Sequence, residues 1–236
     1  MLEKALKYLV GLDVPHLVEK DGATFCDKAL SRVTPEQYAN GFTLSTLSSL
    51  VEYIKAGADT MKGHMFVHVE SPTEISVFSQ LDNNRKREKV VCVEAELPTI
   101  KTNTYVGREE FNIALQSKFV DNEDKALLLT FVGAVENGTV QEYGDDGVSQ
   151  KATIRTGIAS KGEALVPNPV RLMPYRTFTE VAQPESAFVF RMRSDRGVEC
   201  ALYEADGGAW RLEAMENIKA YLKMELADVE GYTVIS

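Results

Sequence analysis

The sequence has little cysteine: Cys26, Cys92 and Cys200 are its 3 thiols. They are odd in number, far apart and set among apolar neighbours, which argues against a disulfide framework and against a zinc site. Buried thiols are the expectation. No run approaches the ~18 apolar residues that cross a bilayer. Residues 1–10 intersperse charges with apolar side chains instead of placing charges before an unbroken apolar stretch, so they read as a short amphipathic helix and not as a signal peptide. A cytoplasmic protein with no membrane partner is therefore expected. Basic charge is in deficit too, with 26 Lys and Arg against 35 Asp and Glu and a net of −9, so most of the surface should repel a nucleic-acid backbone. Also absent are the nucleophile elbow, the phosphate loop, the dinucleotide glycine fingerprint and the zinc spacings, each of which has a mechanical reason for its residues. These gaps weigh against an enzyme, and no catalytic residue, metal ligand or cofactor is assigned.

What remains is an ordinary globular composition, 44% hydrophobic and 26% charged over 236 residues, enough for a packed core. Residues 15–33 read as two short strands, 17–19 and 24–26, joined at Lys20, Asp21 and Gly22. Within residues 43–55, Leu44, Leu47, Leu50, Val51 and Ile54 recur at helical spacing, with Thr43 or Ser45 as N-cap and Gly57 as stop. Strands are expected at 65–70, 74–80 and 89–94 as an antiparallel meander. Two helices follow, one through Phe111, Leu115 and Phe119 and one over residues 126–135, the latter apolar nearly all round and so expected in the middle of the structure. Further strands are read at 139–143, 150–156, 168–173, 187–193 and 199–203, then a terminal helix from Trp210 to Leu226 and an edge strand at 232–235. Strands grouped in blocks point to an α+β fold with a mixed, mostly antiparallel sheet and packed helices. The expected division is an N-terminal helix-and-hairpin arm, residues 1–40, and one α+β domain, residues 41–236.

Several residues invite a chemical reading. His64 and His68 stand four apart, but their neighbours favour a strand, where that separation spans about 13 Å and cannot chelate one ion. Glu94 and Glu96 share one side of a strand, as an acid–base pair, a magnesium site or plain surface acids. Asp145, Asp146 and Gly147 read as a turn, and Asp206 before two glycines as a helix cap. The most promising stretch is basic. Residues 151–200 carry eight bases and five acids, a net of +3, which leaves −12 on the rest of the chain. Alternation puts Phe188, Phe190 and Met192 on one face of a strand and Val189, Arg191 and Arg193 on the other. Together with Arg171, Tyr175, Arg176 and Gln183, these arginines form a candidate site, because guanidinium groups hold phosphate or carboxylate through paired hydrogen bonds. Such a face suits a nucleotide, a nucleic-acid strand or the acidic surface of another subunit, unless the arginines pair with the chain's own acids.

Residues 110–117 (EFNIALQS), 145–150 (DDGVSQ), 174–178 (PYRTF) and 204–210 (EADGGAW) resemble the YfdQ-like proteins of phages and prophages, over most of the chain from about Phe42 onward. The resemblance implies a phage-encoded cytoplasmic protein, often found near recombination or early genes, and it brings no site residues. The first forty residues are the least family-like, which suits an arm that reaches a neighbouring subunit. The leading expectation is a non-catalytic phage protein that forms a homo-oligomer and uses the arginine-bearing face for an anionic ligand, nucleotide or nucleic acid, or for a neighbouring subunit. Its rivals are a self-assembling structural or shell-like phage protein, and a metal-dependent phage enzyme acting on nucleotides or DNA through Glu94, Glu96 or Asp146.

Overall fold

A computed structural model describes residues 2–11, 15–20, 23–28, 39–57, 59, 63–82, 85–142, 149–155, 161–194 and 197–236. The chain divides into two compact units, Met1–Tyr38 and Ala39–Ser236. In the first, α1 (Leu2–Gly11) precedes a hairpin of β1 (Leu17–Lys20) and β2 (Ala23–Cys26), with Leu17 opposite Cys26 and Lys20 opposite Ala23. Asp21 and Gly22 lie outside the described residues. Cys26 is exposed, contrary to the buried thiol expected of it. Thr24, Phe25, Cys26 and Asp27 are all exposed.

The second unit runs β3 (Phe42–Leu44), α2 (Leu47–Ala56), β4 (Met65–Ser71), β5 (Glu74–Ser79), β6 (Lys89–Glu94), β7 (Val106–Gly107), α3 (Arg108–Lys118) and α4 (Glu123–Ala134). It continues with β8 (Gln141–Glu142), β9 (Gln150–Arg155), β10 (Lys161–Leu165), β11 (Val170–Leu172), β12 (Ser186–Arg193), β13 (Glu199–Glu204), α5 (Trp210–Glu225) and β14 (Tyr232–Ile235). The fold is α+β, with the strands of this unit divided among three sheets. The expected meander β4–β5–β6 is antiparallel, and β14 and β3 extend it at its two edges by parallel pairing, in the order β14-β4-β5-β6-β3. A second sheet, β11-β12-β13-β7, and a third, β10-β9-β8, are antiparallel throughout.

Each of the two larger sheets has its own core. On the first, Leu47, Leu50 and Ile54 of α2 and Ile218 and Leu222 of α5 pack with Val67, Val69, Ile75, Val77, Val91 and Val93. On the second, Phe111 and Leu115 of α3 and Leu128, Phe131 and Val132 of α4 pack with Phe188, Phe190, Met192, Cys200 and Leu202. Burial of each large side chain of this kind contributes about 1.5–3 kcal/mol. Phe111 and Phe190 stack with ring centroids 5.5 Å apart.

Three local expectations are corrected. The helix read from residue 43 begins at Leu47, because Phe42–Leu44 pairs with Val91, Cys92 and Val93 instead, and Thr46 caps it by accepting from the Ser49 N–H at 3.1 Å. Its stop is the expected one, Gly57, whose φ of 57° closes the C-terminus in the left-handed region that glycine tolerates best. α4 is not enclosed. Leu128 and Val132 are fully buried but Leu127 is 51% exposed, since a helix lying on a sheet buries one side whatever its composition. β7 and β10 were not anticipated, being short or weakly apolar, with β7 recognisable only by its pairing to Glu199 and Cys200.

Candidate functional site

The alternation along β12 divides the candidate arginines. Ser186, Phe188, Phe190 and Met192 are buried, whereas Arg193 is exposed and Val189 and Arg191 are half-buried. Directly opposed residues on paired strands share a face. Arg171 of β11 lies opposite Ala187, and Tyr203, Ala201 and Glu199 of β13 lie opposite Val189, Arg191 and Arg193. Arg171, Val189, Arg191, Arg193, Glu199 and Tyr203 therefore share the face that α3 and α4 leave uncovered. Tyr105, just before β7, joins them, with the Arg193 guanidinium 4.2 Å from its ring centroid.

Two ion pairs on this face are exposed. Arg171 Nη1 donates to Glu185 Oε1 at 3.0 Å, with the two side chains 70% and 43% exposed. Arg193 Nε donates to Glu199, whose carboxyl the guanidinium holds below its ordinary value. Exposed pairs of this kind add little stability, so an incoming phosphate competes with Glu185 for the Arg171 guanidinium at little cost.

Arg176 and Gln183 lie elsewhere. Ser186 and Glu204 sit at the end of the core-facing side of the sheet, and the Arg176 guanidinium is held there, with Nη1 donating to Glu204 Oε1 at 3.3 Å and Nη2 donating to Ser186 Oγ. Asp206 is 4.0 Å from Nη2, and the Trp210 ring centroid is 4.0 Å from the guanidinium carbon. Burial lowers the Arg176 pKa from its ordinary value, against the pull of Glu204 and Asp206. Gln183 is a structural bracket: Oε1 accepts from the N–H of Arg176 at 3.0 Å and of Thr177 at 3.2 Å, and Nε2 donates to the carbonyls of Thr177 and Phe178 at 3.3 and 3.0 Å. Tyr175 is tied by its backbone N–H to the Lys118 carbonyl at 2.9 Å and lines a cavity with Arg176 and Trp210. The structure thus brings Arg171, Arg191 and Arg193 together on one face and gathers Tyr175, Arg176 and Gln183 apart from it.

No protein-family model, curated protein or solved structure matches this chain. The site is accordingly read from geometry. Among the described residues no group of three or more His, Cys, Asp and Glu side chains is placed to hold a metal. His64 Nε2 is 2.7 Å from Thr233 Oγ1, and His68 lies opposite Ser76. Glu94 and Glu96 border an open hollow beside the start of α2, where Glu180 accepts from the Leu47 and Ser48 amides at 2.8 and 3.3 Å. Asp145, Asp146 and Gly147 lie outside the described residues.

Sequence reasoning missed Tyr203 and Tyr105. The register of the β12–β13 hairpin, read outward from its turn, would have set Tyr203 opposite Val189. Tyr105 had no local signal, because its place depends on the long-range pairing of β7 with β13.

Proposed function

We propose that the chain is a non-catalytic binding protein that takes single-stranded nucleic acid or a nucleotide on the open face of the β11-β12-β13-β7 sheet. The observation that carries this reading is the sharing of one solvent-facing sheet surface by Arg171, Arg191 and Arg193 with Tyr105 and Tyr203. Aromatic rings on such a surface stack with bases at about 1–3 kcal/mol per base, and guanidinium groups hold the phosphates between them. A duplex suits the face less well, since the rest of an acidic chain repels its denser charge. A phage or prophage setting near recombination genes, as the YfdQ-like resemblance implies, is in keeping with this role.

The test is fluorescence anisotropy of a labelled oligodeoxythymidine against the full chain at several salt concentrations. With about three phosphates neutralised, log K should fall with log salt at a slope near ~−2. Tyr203→Ala should weaken binding about tenfold. Absence of binding at low salt, or a Tyr203→Ala variant that binds as well as the parent, would overturn the proposal.

A second reading, self-association, has its own observation. In the unit Met1–Tyr38, Leu2, Leu6, Leu17, Val18 and Phe25 are more than half exposed, at 80, 54, 65, 58 and 57%. Units below about 40 residues seldom bury enough apolar surface alone, and a second copy of the same unit supplies it. Light scattering of the chain at micromolar concentration should give more than one copy per particle, and Leu2→Glu with Leu6→Glu should reduce it to one. A parent protein that is already monomeric rules this reading out.

A further inference from the structure

Before it reaches β7 the chain runs without regular structure over residues 97–105, and three hydrogen bonds pin this stretch to its neighbours. The Asn103 N–H donates to the Leu202 carbonyl at 2.8 Å, Lys101 Nζ to Glu110 Oε1 at 2.7 Å, and Lys118 Nζ to the Thr99 carbonyl at 2.7 Å. Between this stretch, α3 and β13 lies a cavity of about 100 Å³, open to solvent in part. Phe111, Ala114, Leu115 and Lys118 recur at the three- and four-residue spacing of one helix face and form one wall. Ile100, Val106 and Leu202 face them. Phe111, Leu115 and Leu202 belong to the core of the second sheet and are at most 4% exposed, so the cavity sits directly on that core.

Size and lining restrict the occupant. Ordered water needs about 2–4 polar partners, which the apolar walls do not offer. Apolar cavities of about 150 Å³ stay dry and take up a six-carbon ring, so this one matches a chain of about four carbons. The polar residues on the walls are all charged: Lys101, Glu110 and Lys118. Lys101 and Glu110 neutralise each other, with side chains 59% and 53% exposed. Lys118 has only a carbonyl as acceptor, and among the described residues no carboxylate pairs with its ammonium. One positive charge is therefore left over, which favours a singly charged anionic head group above a neutral or cationic one. We infer that this cavity is a binding site for a short aliphatic carboxylate, with a chain of about four carbons against the apolar walls and its carboxylate beside Lys118. Leu202 is on the side of the sheet that α3 covers, so the site is separate from the open arginine face and does not rest on the nucleic-acid reading.

The Ala114 methyl group lines the cavity, so its resonance in the methyl-labelled full chain reports on occupancy. The probes are propionate, butyrate and pentanoate, with pentan-1-ol as the uncharged counterpart. Pentanoate should shift the Ala114 methyl in a saturable way and show a nuclear Overhauser contact to it, and affinity should rise about fourfold with each carbon added from propionate to pentanoate. Pentan-1-ol should bind about threefold more weakly than pentanoate. Lys118→Met keeps the stem and loses the charge, and should remove the advantage of pentanoate over pentan-1-ol. Ala114→Leu fills the cavity and should abolish binding while the far-ultraviolet circular dichroism stays that of the parent. If that variant does not fold, the Overhauser contact in the parent decides the location by itself. No response to pentanoate at millimolar concentrations overturns the inference, as does an affinity independent of chain length. Pentan-1-ol binding as tightly as pentanoate overturns it too, and so does undiminished binding to folded Ala114→Leu.

Discussion

Replacing Gln183 by alanine removes one amide that serves four buried backbone groups. Its oxygen satisfies the N–H groups of Arg176 and Thr177, and its nitrogen satisfies the carbonyls of Thr177 and Phe178. Each buried N–H stripped of its partner costs about 1–3 kcal/mol, and under-satisfied carbonyls cost less. Two N–H groups set a range of about 2–6 kcal/mol, and water entering the vacated space recovers part of it, so about 2–4 kcal/mol is expected. In thermal terms this lowers the midpoint by roughly 5–15 °C for a chain of this size. Gln183→Met preserves most of the volume without restoring the hydrogen bonds, and should be nearly as unstable, which separates polar satisfaction from packing. Urea unfolding followed by circular dichroism measures the difference, with Glu185→Ala, an exposed neighbour, expected within about 0.5 kcal/mol of the parent. A Gln183→Ala loss below about 1 kcal/mol would refute the bracket role and leave the 176–183 loop held by Phe178 packing, the Arg176 cluster, the Thr177 bond to the Pro72 carbonyl and the Glu180 contacts to α2.

Two further outcomes follow from titrating groups. Cys26 is exposed and should react with a thiol reagent in the native state, whereas burial pushes the Cys200 thiol up to about 12, so it should react only on unfolding. Mass spectrometry after brief alkylation reads both, and native labelling of Cys200 would contradict its place in the core. Burial pushes the Asp206 carboxyl up, but hydrogen bonds from Ser186, Gly208 and Trp210 and the charge of Arg176 together hold it below its ordinary 3.8. Its folded-state pKa is therefore depressed: the stability it contributes is fully present above 3.8 and is lost as pH falls through the lower folded value. Asp206→Asn should be less stable than the parent near neutral pH, and the gap should close in acid; a gap unchanged down to pH 2 would count against this assignment.

Local pattern alone determined several things about this protein. The stripe Leu47, Leu50, Val51 and Ile54 marked the buried side of α2, Gly57 marked its end, and alternation put Phe188, Phe190 and Met192 in the core. These follow from helical and strand periods, which depend only on neighbours a few residues away. The partners of each element were settled by tertiary structure. Thr43 and Leu44 look like the start of a helix until β6 supplies their hydrogen bonds, and α4 looks fully buried until it lies on a sheet with one side to solvent. The candidate arginines were visible as residues but not as a surface. Arg176 joins Glu204, Asp206 and Trp210 through the folding-back of the segment that bears it, while Arg193 meets Tyr105 only because β7 pairs with β13. Periodicity tells each strand which side is apolar; which side chains share a face or a cavity depends on contacts between segments far apart along the chain, and those exist only once the chain has folded.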